Sequence, residues 1–344
     1  TKKLTDFNEL GVKATDDYTL VYTLKAPTPY FLSMLTYVCF MPAKAEFIAE
    51  KGDKFGAADS ADNLLYCGAF RIADFQPQVS HTFVKNDAYW DKDNVFIDEI
   101  QETFNKEAVT LAPAMYQRDE VDYAVISADI LPTWMNDAKL KDVVAPQRNS
   151  YYSYFFCFNF DPKFDAAYQP DNWLLAVNNE NFRKSLYYAL DRVKAKTVEE
   201  PYSPESQLIG TITPKNFVTV DGVDYTDLAP LKAYTDDPTH GFDTAKALDY
   251  KKKAMEELTA AGATFPVKVL MSYNPSTANW DKQCQIIEQQ MEEALGADYI
   301  DIVLEAGPST NFLSEVRKAG KYALMLCNWG PDYADPETYT DPWS

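Results

Sequence analysis

The chain has 344 residues, enough for two ordinary domains, because a single hydrophobic core stops growing at roughly 250 to 300 residues. It is 46% hydrophobic and 14% aromatic, which excludes disorder for the bulk of the chain. Lys and Arg number 32 against 52 Asp and Glu, and the resulting net charge of -20 disfavours binding to nucleic acid or to anionic lipid. No run approaches the roughly 18 to 20 apolar residues of a membrane helix.

The residue types that most often perform catalysis or bind metals are scarce. There are only two histidines, and the five cysteines include no CxxC pair, which disfavours a zinc site. Neither a glycine-rich nucleotide loop nor a GxSxG elbow occurs. We therefore expect no enzyme activity, no cofactor and no metal. Most of the cysteines, such as Cys39 and Cys327, stand in apolar runs and are expected to be buried.

The first half of the chain shows mainly strand patterns. Alternating and β-branched residues predict strands over 18–24, 69–74, 80–85 and 97–104, followed by a helix over 107–117. His81 falls within the third of these runs and is predicted to be a surface residue of a strand. The nearly continuous aromatic run 151–160 predicts a strand that is covered on both faces or lines a pocket.

The second half alternates between helices and strands. Helices are predicted over 181–192, from Thr244 to Gly262 and up to Gly296, with strands over 266–271 and 299–304. The first helix places Phe182, Leu186 and Ala189 on one face, and the second, capped by Thr244, is expected to bury Leu248, Met255 and Leu258. This alternation predicts an α/β domain with parallel strand pairing.

Several runs, taken in order, carry the pattern of one protein family. They are Gly11 to Ala14 with Leu24 to Phe31, Cys67 to Ile72 with Val84 to Trp90, Gln117 to Asp122, and Phe182 to Arg192. In this order and spacing the chain resembles the extracytoplasmic solute-binding proteins of peptide ABC transporters, especially the oligopeptide-binding group. Asp119 stands where that family's pattern has Gly.

The resemblance implies a fold and a division into domains. The expected fold is α/β and periplasmic-binding-protein-like, with two lobes of type II, an extra subdomain and an incomplete first lobe. Residues 1–64 would be the end of the extra subdomain, 65–145 part of lobe I, and 146–344 most of lobe II. We expect the chain to lack both ends of a longer protein, and we expect self-association through apolar surface that the missing parts would cover.

The run from Asn328 to Pro336 resembles the family's tryptophan-x-x-aspartate-tyrosine ligand motif. The resemblance implies that Asp332 pairs with the α-ammonium group of a peptide, and a buried ammonium does need a charge-assisted acceptor. The alternative is that Asp332 and Asp335 are simply turn residues. Trp329 would supply an aromatic wall, and Gly330 and Tyr333 complete the motif.

Other ligand contacts are implied more weakly. The aromatic run containing Phe155 and Cys157 corresponds to the family stretch that pairs with the peptide backbone, which is a form of strand addition. Cys157 stands where a relative can carry an acidic group. Arg317 lies roughly where some relatives place a cation for the ligand carboxylate, with the spacing shifted by about a residue.

The resemblance thus implies a non-catalytic, cofactor-free component of an ABC importer, which captures oligopeptides in an interlobe cleft and delivers them to a membrane permease. It would lie at the cell surface or in the periplasm, and its only membrane attachment would be a lipid on an upstream cysteine. One alternative is the same fold binding an oligosaccharide or another small solute. Another is a glycoside hydrolase, which would need two carboxyl groups roughly 5 to 9.5 Å apart.

Overall fold

The computed structural model describes residues 9–57, 59–105, 107–145 and 151–343. The strands are β1 (Val12–Ala14), β2 (Leu20–Tyr22), β3 (Phe70–Gln76), β4 (Ser80–Lys85), β5 (Glu99–Thr103), β6 (Ser153–Phe158), β7 (Thr219–Val220), β8 (Val223–Asp224), β9 (Val267–Tyr273), β10 (Ile300–Ala306) and β11 (Leu324–Trp329). The α-helices are α1 (Phe31–Met34), α2 (Ala45–Lys51), α3 (Ala108–Gln117), α4 (Leu131–Asn136), α5 (Pro170–Asn178), α6 (Glu180–Ala189), α7 (Arg192–Lys196), α8 (Lys232–Thr235), α9 (Thr244–Ala260), α10 (Trp280–Leu295) and α11 (Glu337–Thr340).

The chain divides into two compact units. The first unit contains the described residues up to Tyr37 and those from Tyr151 to Trp343, and the second contains those from Val38 to Ala145. The predicted division into an extra subdomain and two lobes, with boundaries after residues 64 and 145, stays a prediction.

The centre of the first unit is a parallel strand pair. β9 and β10 pair from Val267 with Ile300 to Tyr273 with Ala306, and α10 connects them. α10 buries Ile287, Met291 and Leu295 in the core. The parallel pairing predicted from the strand, helix and strand pattern is therefore confirmed.

Two helices cover this core. α6 buries Phe182, Leu186 and Ala189, as predicted. On α9 the buried face carries Ala247, Ala254 and Leu258, so the predicted burial of Leu258 is confirmed, and Met255 is partly buried against the same core. The predicted burial of Leu248 is wrong, since this side chain is 46% exposed. The two small alanines on the inner face of α9 let this helix pack closely against its neighbours.

The ends of α9 follow ordinary capping chemistry. Asp243 is the N-cap, and its carboxylate accepts a hydrogen bond from the backbone N of Lys246 at 3.0 Å, so the predicted cap at Thr244 is wrong by one residue. At the other end Gly262 has φ +83° and donates to the Thr259 carbonyl, closing the helix as predicted.

The aromatic run forms β6, which pairs antiparallel with β11 from Ser153 with Trp329 to Phe158 with Leu324. The backbone N of Ala323, just before β11, donates to the Leu270 carbonyl of β9 at 2.8 Å. Of the residues on β6, Phe156 and Phe158 pack against the main core, and Phe155 and Cys157 against a second, smaller cluster. Of the two predicted alternatives, a strand covered on both faces or one lining a pocket, the first is met from Phe155 to Phe158, whereas Tyr154 is 63% exposed.

The second unit contains the antiparallel sheet β3-β4-β5, with an irregularity between Ile72 and Asp74. His81 lies on β4, as predicted, and its ring stacks on Phe75 with centroids 4.7 Å apart. After α3, Asp119 has φ +58°, a left-handed conformation that favours glycine. This is the position where the family pattern has Gly.

The cysteines differ in burial. Cys284 and Cys327 are buried, whereas Cys39 and Cys67 are exposed. The expected burial of Cys39 is wrong, because it lies on a three-residue 3₁₀ turn too short to present a buried face. In the described part of the chain, no helix is long and apolar enough to cross a membrane.

Candidate ligand-binding site

The β6–β11 pair of the first unit carries most of the predicted site. Alternate residues of a strand share a face, so Phe155 and Cys157 lie on the same side of this pair as Cys327 and Trp329. Phe155 stands opposite Cys327 and makes an edge contact with Trp343, with centroids 5.1 Å apart. The structure therefore brings three of the predicted residues, Phe155, Cys157 and Trp329, onto one surface.

The outer edge of β6 is available for hydrogen bonding. The backbone N of Asn159, immediately after β6, donates to the Ala323 carbonyl at 2.9 Å. In an antiparallel pair, alternate residues bond to the partner strand. The backbone groups of Tyr154, Phe156 and Phe158 are thus directed to the other edge. Within the described ranges no strand pairs with β6 on that side.

Arg317 contacts the end of β11. It is the last residue of a five-residue π-helix, and its Nη1 donates to the Asn328 carbonyl at 3.2 Å. Its positive charge acts on the thiols of both Cys157 and Cys327. It forms no ion pair with a carboxylate of the described residues. Arg317 is therefore a half-buried cation without a paired anion in this part of the chain.

The two thiols of this face interact directly. A side-chain hydrogen bond to Cys327 together with burial raises the pKa of Cys157. The interaction with Cys157 lowers the pKa of Cys327. This interaction between the two cysteines is a feature that the sequence pattern did not predict.

Trp329 ends β11 and is half-buried. Its Nε1 is fully buried and has no hydrogen-bond partner among the described residues. A buried donor without an acceptor costs free energy, so a ligand oxygen at this point would be stabilising. The next residue is Gly330, and a Cβ atom at this position would lie only 2.9 Å from the ring of Tyr152, so a larger residue would clash there. The structure gives Gly330 a packing role.

Asp332 lies in the loop after β11 and is half-buried. Its backbone N donates to Thr338 Oγ1 at 2.9 Å, which fixes the loop. Its carboxylate has no hydrogen bond or ion pair to any residue in the described ranges. Asp335, by contrast, accepts a hydrogen bond from the backbone N of Glu337 at 2.9 Å and behaves as a turn residue.

Tyr333 is engaged in a contact that the motif did not predict. Its ring stacks on Tyr30, with centroids 4.7 Å apart and an interplanar angle of 14°. Burial and the nearby Glu337 carboxylate raise the pKa of Tyr333 to about 12. Tyr30 Oη donates to Glu337, and the backbone N of Ala334 donates to Ser33 Oγ, at 3.0 and 2.9 Å. Tyr333 therefore anchors the loop to the segment after β2.

A cavity of about 280 Å³ lies beside this anchor. Its lining residues are Pro29, Tyr30, Ser33, Val218, Thr219, Val220, Ala334, Asp335 and Pro336. None of the seven predicted site residues lines it. Tyr30 belongs to the run from Leu24 to Phe31 that resembles the family pattern, and this was the only sequence signal for its role; no signal pointed to Ser33.

Comparisons with known proteins identify the family. Residues 2–344 match the bacterial extracellular solute-binding proteins, family 5 middle. The chain is 29% identical to the oligopeptide-binding protein AliB of Streptococcus pneumoniae, over 99% of this chain and 56% of that protein. It is 30% identical to AmiA of the same species, over 98% of this chain and 55% of that protein. The chain spans about half the length of these relatives.

Solved structures agree with this relationship. Listeria monocytogenes OppA bound to peptide has a TM-score of 0.73 and 27% identity, covering 98% of this chain and 60% of that one. The predicted α/β, periplasmic-binding-protein-like fold is thereby confirmed, and so is the predicted family. Members of this family are extracellular solute-binding proteins. The chain belongs to the bacterial extracellular solute-binding proteins of family 5.

Proposed function

We propose that this chain binds oligopeptides as the non-catalytic, substrate-binding component of an ABC importer. The observation that carries the proposal is the half-buried Asp332 carboxylate, which has no partner among the described residues. It lies three residues after Trp329, at the end of an aromatic sheet pair. A carboxylate held this way is suited to accept the α-ammonium group of a peptide.

The outer edge of β6 would hold the peptide backbone. Main-chain hydrogen bonds to an added strand give affinity without requiring particular side chains. The indole Nε1 of Trp329 would donate to a ligand oxygen and so acquire the acceptor that it lacks. Phe155 and Cys157 would form the apolar floor beneath this strand, and Arg317 would attract an acidic group of the ligand.

The relatives support the choice of ligand. The similar proteins AliB and AmiA are named oligopeptide-binding proteins, and the Listeria structure contains a peptide. The rest of the proposal is delivery to a membrane permease from an extracytoplasmic position, with the only membrane attachment through a lipid. Detergent phase partitioning of the native protein tests the lipid attachment, because a lipid-bearing protein enters the detergent phase.

The decisive experiment measures binding of one peptide in two forms, with a free and with an acetylated N-terminus, by calorimetry on the intact protein. We expect only the free amine to bind. Asp332→Asn should weaken binding of the free-amine peptide roughly 10- to 150-fold. This corresponds to the loss of one charged hydrogen bond, which contributes about 1.5–3 kcal/mol. Asp335→Asn, which removes a charge three residues away, is the matched control and should leave affinity nearly unchanged.

Two results would contradict the proposal in different ways. Equal binding of both peptide forms to the parent and to Asp332→Asn would refute the anchoring role of Asp332 while leaving peptide binding intact. Binding of an oligosaccharide but of neither peptide would refute the peptide function.

A further inference from the structure

The cavity of about 280 Å³ lies beside the loop that carries Asp332. Its walls come from three segments of the first unit, which are the residues around the start of α1, strand β7 and the loop after β11. Sites that enclose a whole small-molecule ligand usually occupy roughly 300 to 1,000 Å³. The cavity therefore has the size for one side chain rather than for a complete peptide.

Most of the cavity wall is apolar. The apolar lining residues are Pro29, Val218, Val220, Ala334 and Pro336. Lysine and arginine have a long aliphatic stem that packs on apolar surface while the charged end keeps polar contacts. Such a wall thus fits the stem of a basic side chain as well as it fits an apolar one.

Asp335 supplies a charged group to the same lining and decides between these two kinds of side chain. It is half-buried, and it accepts a hydrogen bond from the backbone N of Glu337 at 2.9 Å. It forms no ion pair with any residue that the structure describes. A carboxylate has about four acceptor positions, so Asp335 can accept further hydrogen bonds. An apolar side chain would remove water from this carboxylate without pairing it, which costs free energy, whereas a cation would pair it.

The aromatic lining residue also favours a cation. Tyr30 stacks on Tyr333, with centroids 4.7 Å apart, so its ring is held at the cavity wall. The hydrogen bond to Glu337 raises the pKa of Tyr30, and the charge of Asp335 acts in the same direction. Aromatic rings attract ammonium and guanidinium groups. The net charge of -20 attracts cationic ligands from a greater distance.

The cavity lies within reach of a peptide that is anchored at Asp332. Asp335 follows Asp332 by three residues, and three residues span at most about 11 Å even when fully extended. The backbone N of Asp335 donates to the Tyr333 carbonyl at 2.9 Å, which turns the loop and shortens this span. A side chain at one of the first three positions of the peptide is therefore close enough to enter the cavity.

We propose that this cavity is a subsite for a basic side chain of the bound peptide, with the Asp335 carboxylate accepting hydrogen bonds from its ammonium or guanidinium group. Asp332 keeps the α-ammonium group, so two carboxylates of one loop hold two cations of the same ligand. The inference rests on the proposed function and deepens it, because it names basic oligopeptides as the preferred cargo.

The test compares free-amine pentapeptides that carry lysine or norleucine at one position, by calorimetry on the intact protein. Norleucine keeps the four-carbon stem and lacks the charge. At one of the first three positions we expect the lysine peptide to bind about tenfold more tightly, because a charge-assisted hydrogen bond is gained. Lysine at the fifth position is the control for the general attraction by the net charge and should give a much smaller gain.

Asp335→Asn should remove the preference for lysine at the sensitive position. The norleucine peptide should bind the parent and this variant alike, because it makes no charged contact in the cavity. Asparagine still offers an oxygen to the backbone N of Glu337, so the turn is kept.

A second pair of variants tests the cavity without changing the loop. Val220 and Val223 stand opposite each other in the β7–β8 hairpin and are 44% and 45% exposed. Val220 lines the cavity, whereas Val223 is not part of its lining. Val220→Lys places a competing cation at the cavity and should remove the preference for the lysine peptide. Val223→Lys, the matched control with the same change of charge, should retain it.

Three outcomes would overturn the inference, and they separate it from the proposed function. Equal affinity of the parent for lysine and norleucine at each of the first three positions would refute the subsite and leave peptide binding intact. A lysine preference that survives both Asp335→Asn and Val220→Lys would show that the basic side chain binds elsewhere. Binding of none of the free-amine peptides would refute the proposed function and the subsite together.

Discussion

The two compact units differ in how they bury apolar side chains. In the first unit, Trp173, Tyr299 and Ile287 are completely buried in one large cluster. Among the described residues of the second unit, Trp134 is the only buried large apolar side chain, while Trp90 and Phe96 are 84% and 86% exposed. Because stability can differ between regions of one structure, we expect the first unit to be the more stable of the two. The candidate site lies on this unit, whose close packing holds the site's side chains in place.

The largest expected effect comes from a core substitution in the first unit. Trp173→Ala should lower the free energy of unfolding by about 3–5 kcal/mol, because it leaves a cavity and removes the hydrogen bond from Trp173 Nε1 to the Asn159 carbonyl. Trp90→Ala in the second unit should change it by less than about 0.5 kcal/mol. Urea unfolding followed by circular dichroism measures both. A large cost for Trp90→Ala would remove the contrast between the units.

The second comparison concerns cysteine ionisation. Burial raises the pKa of Cys284 to about 12 from 9.0. The thiol loses its proton near pH 9 in the unfolded chain but only near pH 12 in the folded protein. The contribution of the neutral Cys284 thiol to the free energy of unfolding is therefore fully present below pH 9. It is lost at roughly 1.4 kcal/mol per pH unit as the pH rises towards about 12. Denaturant unfolding over this pH range should show a shallower loss for Cys284→Ala than for the parent.

The control for this pH effect is Cys67→Ala in the second unit, where the thiol is exposed. Its stability should fall with pH as that of the parent does. An identical slope for Cys284→Ala and the parent would show that the Cys284 thiol is hydrated in the folded protein.

The smallest expected effect compares the ends of two helices. Both α9 and α3 close through a residue with positive φ, Gly262 at +83° and Asp119 at +58°. Gly262 has no atoms near its missing Cβ, so Gly262→Asp should cost only the backbone strain, about 1 kcal/mol. Asp119→Gly should stabilise by about 0.5–1 kcal/mol. Thermal unfolding of the two variants checks the opposite signs. A destabilised Asp119→Gly would indicate that the Asp side chain contributes more than the backbone conformation costs.

Local patterns in the sequence predicted the elements well. The parallel β9–β10 pair and the buried face of α6 followed from apolar spacing, because the period of apolar residues shows which face of an element is buried whatever packs against it. The pairing of β6 with β11 could not be predicted from local pattern, because the hydrogen bond from Asn159 to Tyr322 that accompanies it joins residues 163 positions apart. Pairing between distant strands leaves no periodic signal in either of them.

The candidate site was predictable only in part. Family motifs indicated Trp329 and Asp332, but they did not indicate that Tyr333 stacks on Tyr30 or that the Cys157 and Cys327 thiols meet. Motifs record residue identity at a position, whereas a side-chain contact depends on which distant segment packs there. Gly330 illustrates the difference, since its role is set by the ring of Tyr152.

The anchor between Ser33 and Ala334 has a consequence for the order of folding. This hydrogen bond joins residues 301 positions apart, and the Tyr30 to Glu337 bond joins residues 307 apart. Closing a loop of that length is entropically costly, and chains dominated by distant contacts fold slowly. During synthesis the loop that carries Asp332 can take up its final position only after the roughly three hundred residues between Ser33 and Ala334 have emerged.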